Sequence, residues 1–408
     1  MKNRRPELLI PASSLEVLKT AVIFGADAVY IGGEAFGLRA KAKNFSADDM
    51  REGIAFAHEH GAKVHVTVNI LAHNADLEGV REYLEELKEM GPDALIIADP
   101  AIFEMAKEIC PEIERHVSTQ ANNTNYGTFN FWWKQGAKRV VTARELSLKE
   151  IREIRDHIPE EMEIESFIHG AMCISYSGRC LLSNFFTGRD ANQGACTHPC
   201  RWKYAVVEET RPGEYMPVYE NERGTYIFNS KDLCMIEHIP EMIDAGIDSF
   251  KIEGRMKTAL YVATVARTYR KAIDDYLEDP EKYRDNMPWY QEQISNCTYR
   301  QFTTGFYFGK PGEESQIYDS NTYIKEYTYL GIVGEVREGL CRIEQRNKFS
   351  VGETVEIMKP DGRNIKVRVK RILNEEGKEQ ESAPHPKQVL YVELDEAADI
   401  YDILRREE

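Results

Sequence analysis

Residues 164–202 read IESFIHGAMCISYSGRCLLSNFFTGRDANQGACTHPCRW: an apolar run that stops at His169, then a loop carrying four thiols. Cys173, Cys180, Cys196 and Cys200 recur as C-x6-C-x15-C-x3-C, with glycines at 170, 178, 188 and 194 between and before them. Glycine allows the turns a loop needs when it wraps around something compact. The elements that flank this stretch decide the architecture that carries it.

Working outward, short β-type runs alternate with amphipathic helical ones. The strand candidates are 7–10, 28–31, 64–69, 94–98, 116–119, 139–142, 164–169 and 249–253. Between them apolar residues fall at three- and four-residue steps, as in Leu77, Val80, Tyr83, Leu84 and Leu87. Ser46 before Asp48 and Asp49, and Ser147 with Glu150 three residues on, read as helix starts. Eight strands over about 250 residues is the count and size of a closed (β/α)8 TIM-like barrel. The alternative is a doubly wound open sheet, but no G-x-G-x-x-G follows an early strand. The thiol loop then sits in a long insertion after the seventh strand, with 204–208 and 225–228 expected to pair as a hairpin.

Barrel enzymes place their chemistry at the carboxyl ends of the strands. Those ends carry Gly32 and Gly33, Asn69, Asp99, Gln120, Arg144, His169, and Glu253 with Arg255. Gln120, Arg144, His169 and Arg255 are the preferred candidates; Asp99 before Pro100 reads as a helix cap.

The barrel is expected over 1–287, with a helix and connector over 288–328. From 329 to 408 the pattern turns to short strands: 330–337, 340–345, 354–358, 365–373 and 389–394. Pro360-Asp361-Gly362 is a turn between two of them, and a small antiparallel β-barrel is expected. Lys366, Arg368 and Lys370 alternate with Val367 and Val369 and so share one face. Residues 335–371 hold 10 basic and 6 acidic residues in a chain of net charge −16. That face is either a solvated strand surface or a phosphate-contacting RNA surface.

The overall charge excludes a protein coated with nucleic acid and requires any RNA contact to be local. With 42% hydrophobic residues among 408, a sizeable core is within reach. The first apolar run is cut at Pro11 and no later stretch approaches a membrane span, so a cytoplasmic protein is expected.

In that setting, clustered thiols point to a metal or cluster before disulfides, incidental cysteines being the plain alternative. Tetrathiolate ligation suits zinc or iron–sulfur alike; only Cys196 and Cys200 approach a zinc knuckle. Cys234 competes with Cys200 for the fourth place. Neither H-E-x-x-H nor G-x-S-x-G occurs. A protease reading would pair Cys173 with His169, which excludes Cys173 from ligation.

Glu165 to Cys173, followed by Ser177-Gly178-Arg179-Cys180-Leu-Leu-Ser183, resembles the signature of peptidase family U32, the collagenase-like proteases. Gly188-Arg189-Asp190 through Asn192-Gln193-Gly194 to Cys200-Arg201-Trp202-Lys203-Tyr204 is similar to its branch tied to tRNA wobble-uridine 5-hydroxylation. Asn229-Ser230-Lys231-Asp232-Leu233 and Lys251-Ile-Glu253-Gly254-Arg255 match the same branch, and the likeness spans most of residues 7–275. The resemblance implies a (β/α) barrel with a [4Fe–4S] cluster on Cys173, Cys180, Cys196 and Cys200, tRNA as partner and prephenate as co-substrate. On that reading Arg144, Lys251 and Arg255 would meet the prephenate carboxylates, with Asn69 and Glu253 beside them. His169, Glu165 and Gln120 would be the acid–base candidates. Glu165 could instead pair inside the barrel. The competing functions are a U32 peptidase and a non-catalytic cluster or zinc scaffold.

Overall fold

The computed structural model describes residues 5–33, 45–173, 175–177, 179–189, 191, 196–201, 206–207, 215–216, 220–221, 224–225, 231–297, 299–311 and 326–408. Eight parallel strands close into a barrel: β1 (Glu7–Pro11), β2 (Ala28–Ile31), β3 (Lys63–Val68), β4 (Ala94–Ile97), β5 (Glu114–Val117), β6 (Arg139–Val141), β7 (Glu163–Ala171) and, after β8 (Asp232–Cys234), β9 (Ser249–Ile252). β9 closes the ring by pairing with both β7 and β1. Helices cover the outside, as an all-parallel sheet requires.

Local signals account for the helix ends. The Ser46 hydroxyl accepts from the Asp49 amide at 3.1 Å, and Ser147 and Glu150 complete a capping box. Asp99 caps the helix Pro100–Ile109, accepting from the Ala101 amide at 2.8 Å. Gly91 ends the helix Leu77–Met90 with φ of 68°, a left-handed turn that a side chain would oppose.

Strand alternation divides the core in two. Leu8, Ile10, Val29, Ile31, Leu95 and Ile97 face the helices within the main apolar cluster, whereas Leu9, Ala28, Tyr30 and Ile96 form a separate one inside the barrel. Other interior positions carry charges. Arg139 donates to Glu7 at 2.5 Å, to Glu163 at 2.6 Å and to Glu165 at 3.1 Å, and Lys251 donates to Glu165 at 2.6 Å. Buried charges are tolerated only when paired this fully.

β8 runs antiparallel to the end of β7, Asp232 opposite Ala171 and Cys234 opposite His169; β10 (Phe302–Thr303) adds beside it. Among the described residues of the insertion, Val206–Val207 pairs with Tyr215–Met216, and Glu220–Asn221 with Gly224–Thr225, two short ribbons. Residues 204, 205, 208 and 226–228 of the expected hairpin lie outside the described residues. Gly178, Asp190, Asn192 to Gly194, Trp202 to Tyr204, Asn229 and Ser230 of the motif lie outside the described residues.

The helix Ala259–Glu278 ends the barrel. Helix Met287–Ser295 and β10 pack against the barrel within the stretch expected to connect the two domains; Tyr290 is fully buried and donates to Asp275 at 2.5 Å. Beyond lies a closed antiparallel barrel of β11 (Tyr327–Arg337), β12 (Leu340–Glu344), β13 (Thr354–Met358), β14 (Asn364–Asn374), β15 (Val389–Leu394) and β16 (Ile403–Glu407). The sixth strand, β16, was not among the expected strands. Arg405 is fully buried, donating to Glu356 at 2.7 Å under the Tyr327 ring. The small barrel is fastened to the large one by Arg267, which donates to the Lys359 carbonyl at 2.9 Å, and by Arg346, 2.6 Å from Glu16. No helix among the described residues is long and apolar enough to cross a membrane.

Candidate functional site at the barrel mouth

The mouth is built on Phe167, an inward-facing residue of β7. The Arg144 guanidinium lies 4.0 Å above its ring and the Lys251 ammonium 5.6 Å from it. Arg144 also bonds the Glu253 carboxylate at 3.1 Å and the Ala171 carbonyl at 3.3 Å, tying the ends of β6, β7 and β9 together. Arg255 reaches across the opening to the Thr67 hydroxyl at 3.0 Å. Gly32 makes room for it, since a Cβ there would collide with the guanidinium. Two guanidinium forks on a half-enclosed surface suit a small dicarboxylate.

The structure brings together Arg144, Lys251, Glu253 and Arg255 at this end. Asn69 follows β3 and is half-buried, while Gln120 is buried in a short turn, accepting from the Ser118 hydroxyl at 3.3 Å. Glu165 lies deeper, in the ion pairs with Lys251 and Arg139. Burial alone would raise its pKa; the two cations outweigh that and hold the carboxylate below its usual range. It is therefore a fixed anion, as the internal-pairing alternative had it.

His169 faces outward. Its ring is 1% exposed and enclosed by Tyr261, Tyr269 and Phe302, with centroids at 6.1, 5.5 and 5.7 Å. Nδ1 lies 3.3 Å from the Tyr269 hydroxyl. Burial lowers its pKa to about 4, Lys257 adding to the effect and Asp232 opposing it, so the imidazole is neutral at pH 7. Among the described residues no hydrogen bond joins it to Cys173, and the thiol–imidazole pair of a cysteine protease is not formed.

Phe167, Thr67 and Tyr30 escaped the sequence reading. The signal available was alternation: Phe167 lies two residues after Glu165, Thr67 two before Asn69 and Tyr30 two before Gly32.

Cys173 leaves β7 two residues beyond Ala171. It is exposed, as is Cys196, while Cys180 and Cys200 are half-buried, and none is in a disulfide. Among the described residues no three His, Cys, Asp or Glu side chains are gathered to hold a single metal ion. The four thiols are soft donors of the kind that zinc or an iron–sulfur cluster takes. Cys234 is elsewhere: its sulfur lies 3.6 Å from the Tyr269 hydroxyl, and burial pushes the thiol up to about 11.

Gly170 sets the exit of this loop. It has φ of +111°, and a Cβ there would lie 2.6 Å from the Glu253 carbonyl oxygen. Gly170→Ala is expected to cost about 1–3 kcal/mol and to shift Glu253 and Cys173 together. A urea titration and an activity assay should fall in parallel; wild-type values in both would refute this.

On the small barrel, Lys366, Arg368 and Lys370 are exposed while Val367 and Val369 are buried, so the basic set does share one outer face. Lys366 lies 3.7 Å from Glu407, a contact that solvent screening leaves weak.

A (β/α)8 barrel with a thiol-bearing insertion leaving the carboxyl end of β7, and a β-barrel appended, defines the class of protein. Sequence profiles of peptidase family U32 and of the family's C-terminal domain match residues 13–317 and 325–405, and the chain belongs to this family. It is 44% identical over 395 residues to a protein of Bacillus subtilis named tRNA hydroxylation protein P1, covering 96% of this chain and 93% of the relative. It is 39% identical to tRNA hydroxylation protein P of Escherichia coli, over 93% and 92% of the two chains. A 23S rRNA 5-hydroxycytidine synthase of Escherichia coli is 39% identical over 279 residues, 68% of this chain and 41% of that one.

Proposed function

We propose that this chain is an RNA hydroxylase that converts the wobble uridine of tRNA to 5-hydroxyuridine. Cys173, Cys180, Cys196 and Cys200 would hold a [4Fe–4S] cluster, which supplies one-electron redox chemistry when bound. The observation that carries the reading is the position of Cys173, exposed two residues past β7 at the same end as Arg144 and Glu253. The names of relatives alike over nine-tenths of the chain agree with it.

In this reading Arg144 and Arg255 bind the carboxylates of prephenate, and Glu253 orients Arg144. Lys251 is held by Glu165 and adds positive charge below the Phe167 ring. Lys366, Arg368 and Lys370 meet tRNA phosphates, each contact adding to the salt dependence of binding. Gln120 offers a neutral amide at the mouth, and His169 supports β7 from outside.

Cells lacking the protein should yield tRNA without 5-hydroxyuridine on nucleoside analysis. Anaerobically purified protein should be brown with about four iron per chain. Cys180→Ser should lose iron and fail to restore the nucleoside, while Arg144→Ala keeps iron and also fails. Colourless protein that cleaves gelatin, or tRNA unchanged by deletion, would overturn the proposal.

A further inference from the structure

A cleft of about 610 Å³ opens on the flank of the barrel, between β8, β10 and the helix Met287–Ser295. It is separate from the mouth, since Arg144, Lys251, Glu253 and Arg255 do not line it. Its apolar wall includes Ile236, Ile294 and the protonated thiol of Cys234.

Two aromatic faces look into it. Tyr299 stacks on Phe302 with centroids 4.4 Å apart and planes 14° from parallel. Phe308 lies 4.6 Å from the His238 ring and is 56% exposed, a large apolar surface left to solvent at the rim of a cavity. Lys231 and Lys310 also line the cleft, and neither has an ion-pair partner among the described residues. In a chain of net charge −16, two ammonium groups beside aromatic rings in one cleft stand out. The cleft and the thiol loop share β8. Lys231 immediately precedes β8, whose first residue pairs with Ala171 at the root of the thiol loop.

We infer that this cleft is a subsite for a single-stranded nucleotide next to the one presented at the barrel mouth. Its base stacks on Phe308 and Tyr299, and its phosphates meet Lys231 and Lys310. Flat rings interleaved with cations suit unpaired nucleic acid, because every base has a π-face and every linkage a charge. A small free anion would use the lysines and leave the rings unexplained. The inference rests on the RNA reading above and adds a place where the strand is gripped.

The test uses the full chain, purified anaerobically, and a fluorescent RNA hairpin carrying the anticodon arm of a tRNA. Phe308→Ala should weaken binding roughly tenfold and raise KM for the RNA with little change in kcat, while Phe308→Tyr restores both. Lys231→Glu with Lys310→Glu should weaken binding and flatten its salt dependence. Iron content and melting temperature should match wild type in the phenylalanine variants. Wild-type affinity and KM in Phe308→Ala overturn the subsite and leave the hydroxylase reading standing. So does an altered response to the small carboxylate co-substrate without a change in RNA affinity. A wild-type protein that neither binds nor modifies the hairpin overturns both.

Discussion

Arg139→Met should be recovered largely as unfolded or insoluble protein. The guanidinium is 3% exposed and serves Glu7, Glu163 and Glu165 at once, at 2.5, 2.6 and 3.1 Å. Burial acts against charging the Glu7 carboxyl, yet Arg139, with His65 assisting, holds it at about 2. Removing the cation leaves three carboxylates enclosed with Lys251 bonded to one of them and Lys138 3.6 Å from another. Breaking one buried pair costs about 3–5 kcal/mol, and a typical domain is stable by only about 5–15 kcal/mol. Neutralising the partners with Glu7→Gln and Glu163→Gln should recover soluble protein, because the penalty is uncompensated charge rather than lost volume. A urea midpoint for Arg139→Met close to wild type would refute the account.

Acid should destabilise the protein well before its carboxylates titrate. His65, His116 and His169 are all held neutral, chiefly by burial. For His65, Glu7 and Glu165 pull upward while Arg139 and Lys251 push downward, leaving it at about 4 against an ordinary 6.5. The unfolded chain takes up these protons near pH 6.5 and the native state does not, so stability rises with pH across this interval. The contribution is complete above pH 6.5 and is lost as pH falls towards 4. At 1.36 kcal/mol per pH unit, His65 and His169 each account for about 3 kcal/mol. Glu7 extends the loss below pH 4.5 towards 2, its folded value being depressed. Urea midpoints from pH 7.5 to 4.5 should fall steadily; a flat profile above pH 5 would exclude neutral buried histidines.

The outline of the fold was legible because parallel strands and helix caps leave local marks. Strands such as Ala94–Ile97 are apolar throughout, and Ser46, Asp99 and Ser147 cap where their side chains allow. The barrel interior was not legible. Arg139 and Glu163 each open a strand, where a charge ordinarily meets water, and only closure of the ring turns them inward. Arg405 lies in a strand for which the sequence pattern offered no candidate. The mouth was half legible: polar strand tips named Arg144, Glu253 and Arg255, but their organiser is Phe167, which looks like any core residue. His169 ended an apolar run yet points away from the opening, because the chain bulges where β7 meets β9 between Lys251 and Ile252.

The excursion that begins after Ala171 and ends at Lys231 departs and returns on neighbouring rungs of one ladder, Asp232 lying opposite Ala171. Its two roots are therefore stitched to the same strand, whatever occupies the span between them. If the proposed cluster is carried on this excursion, its loading would act on a span pinned at both ends to the cylinder, and not on the cylinder's own ladder.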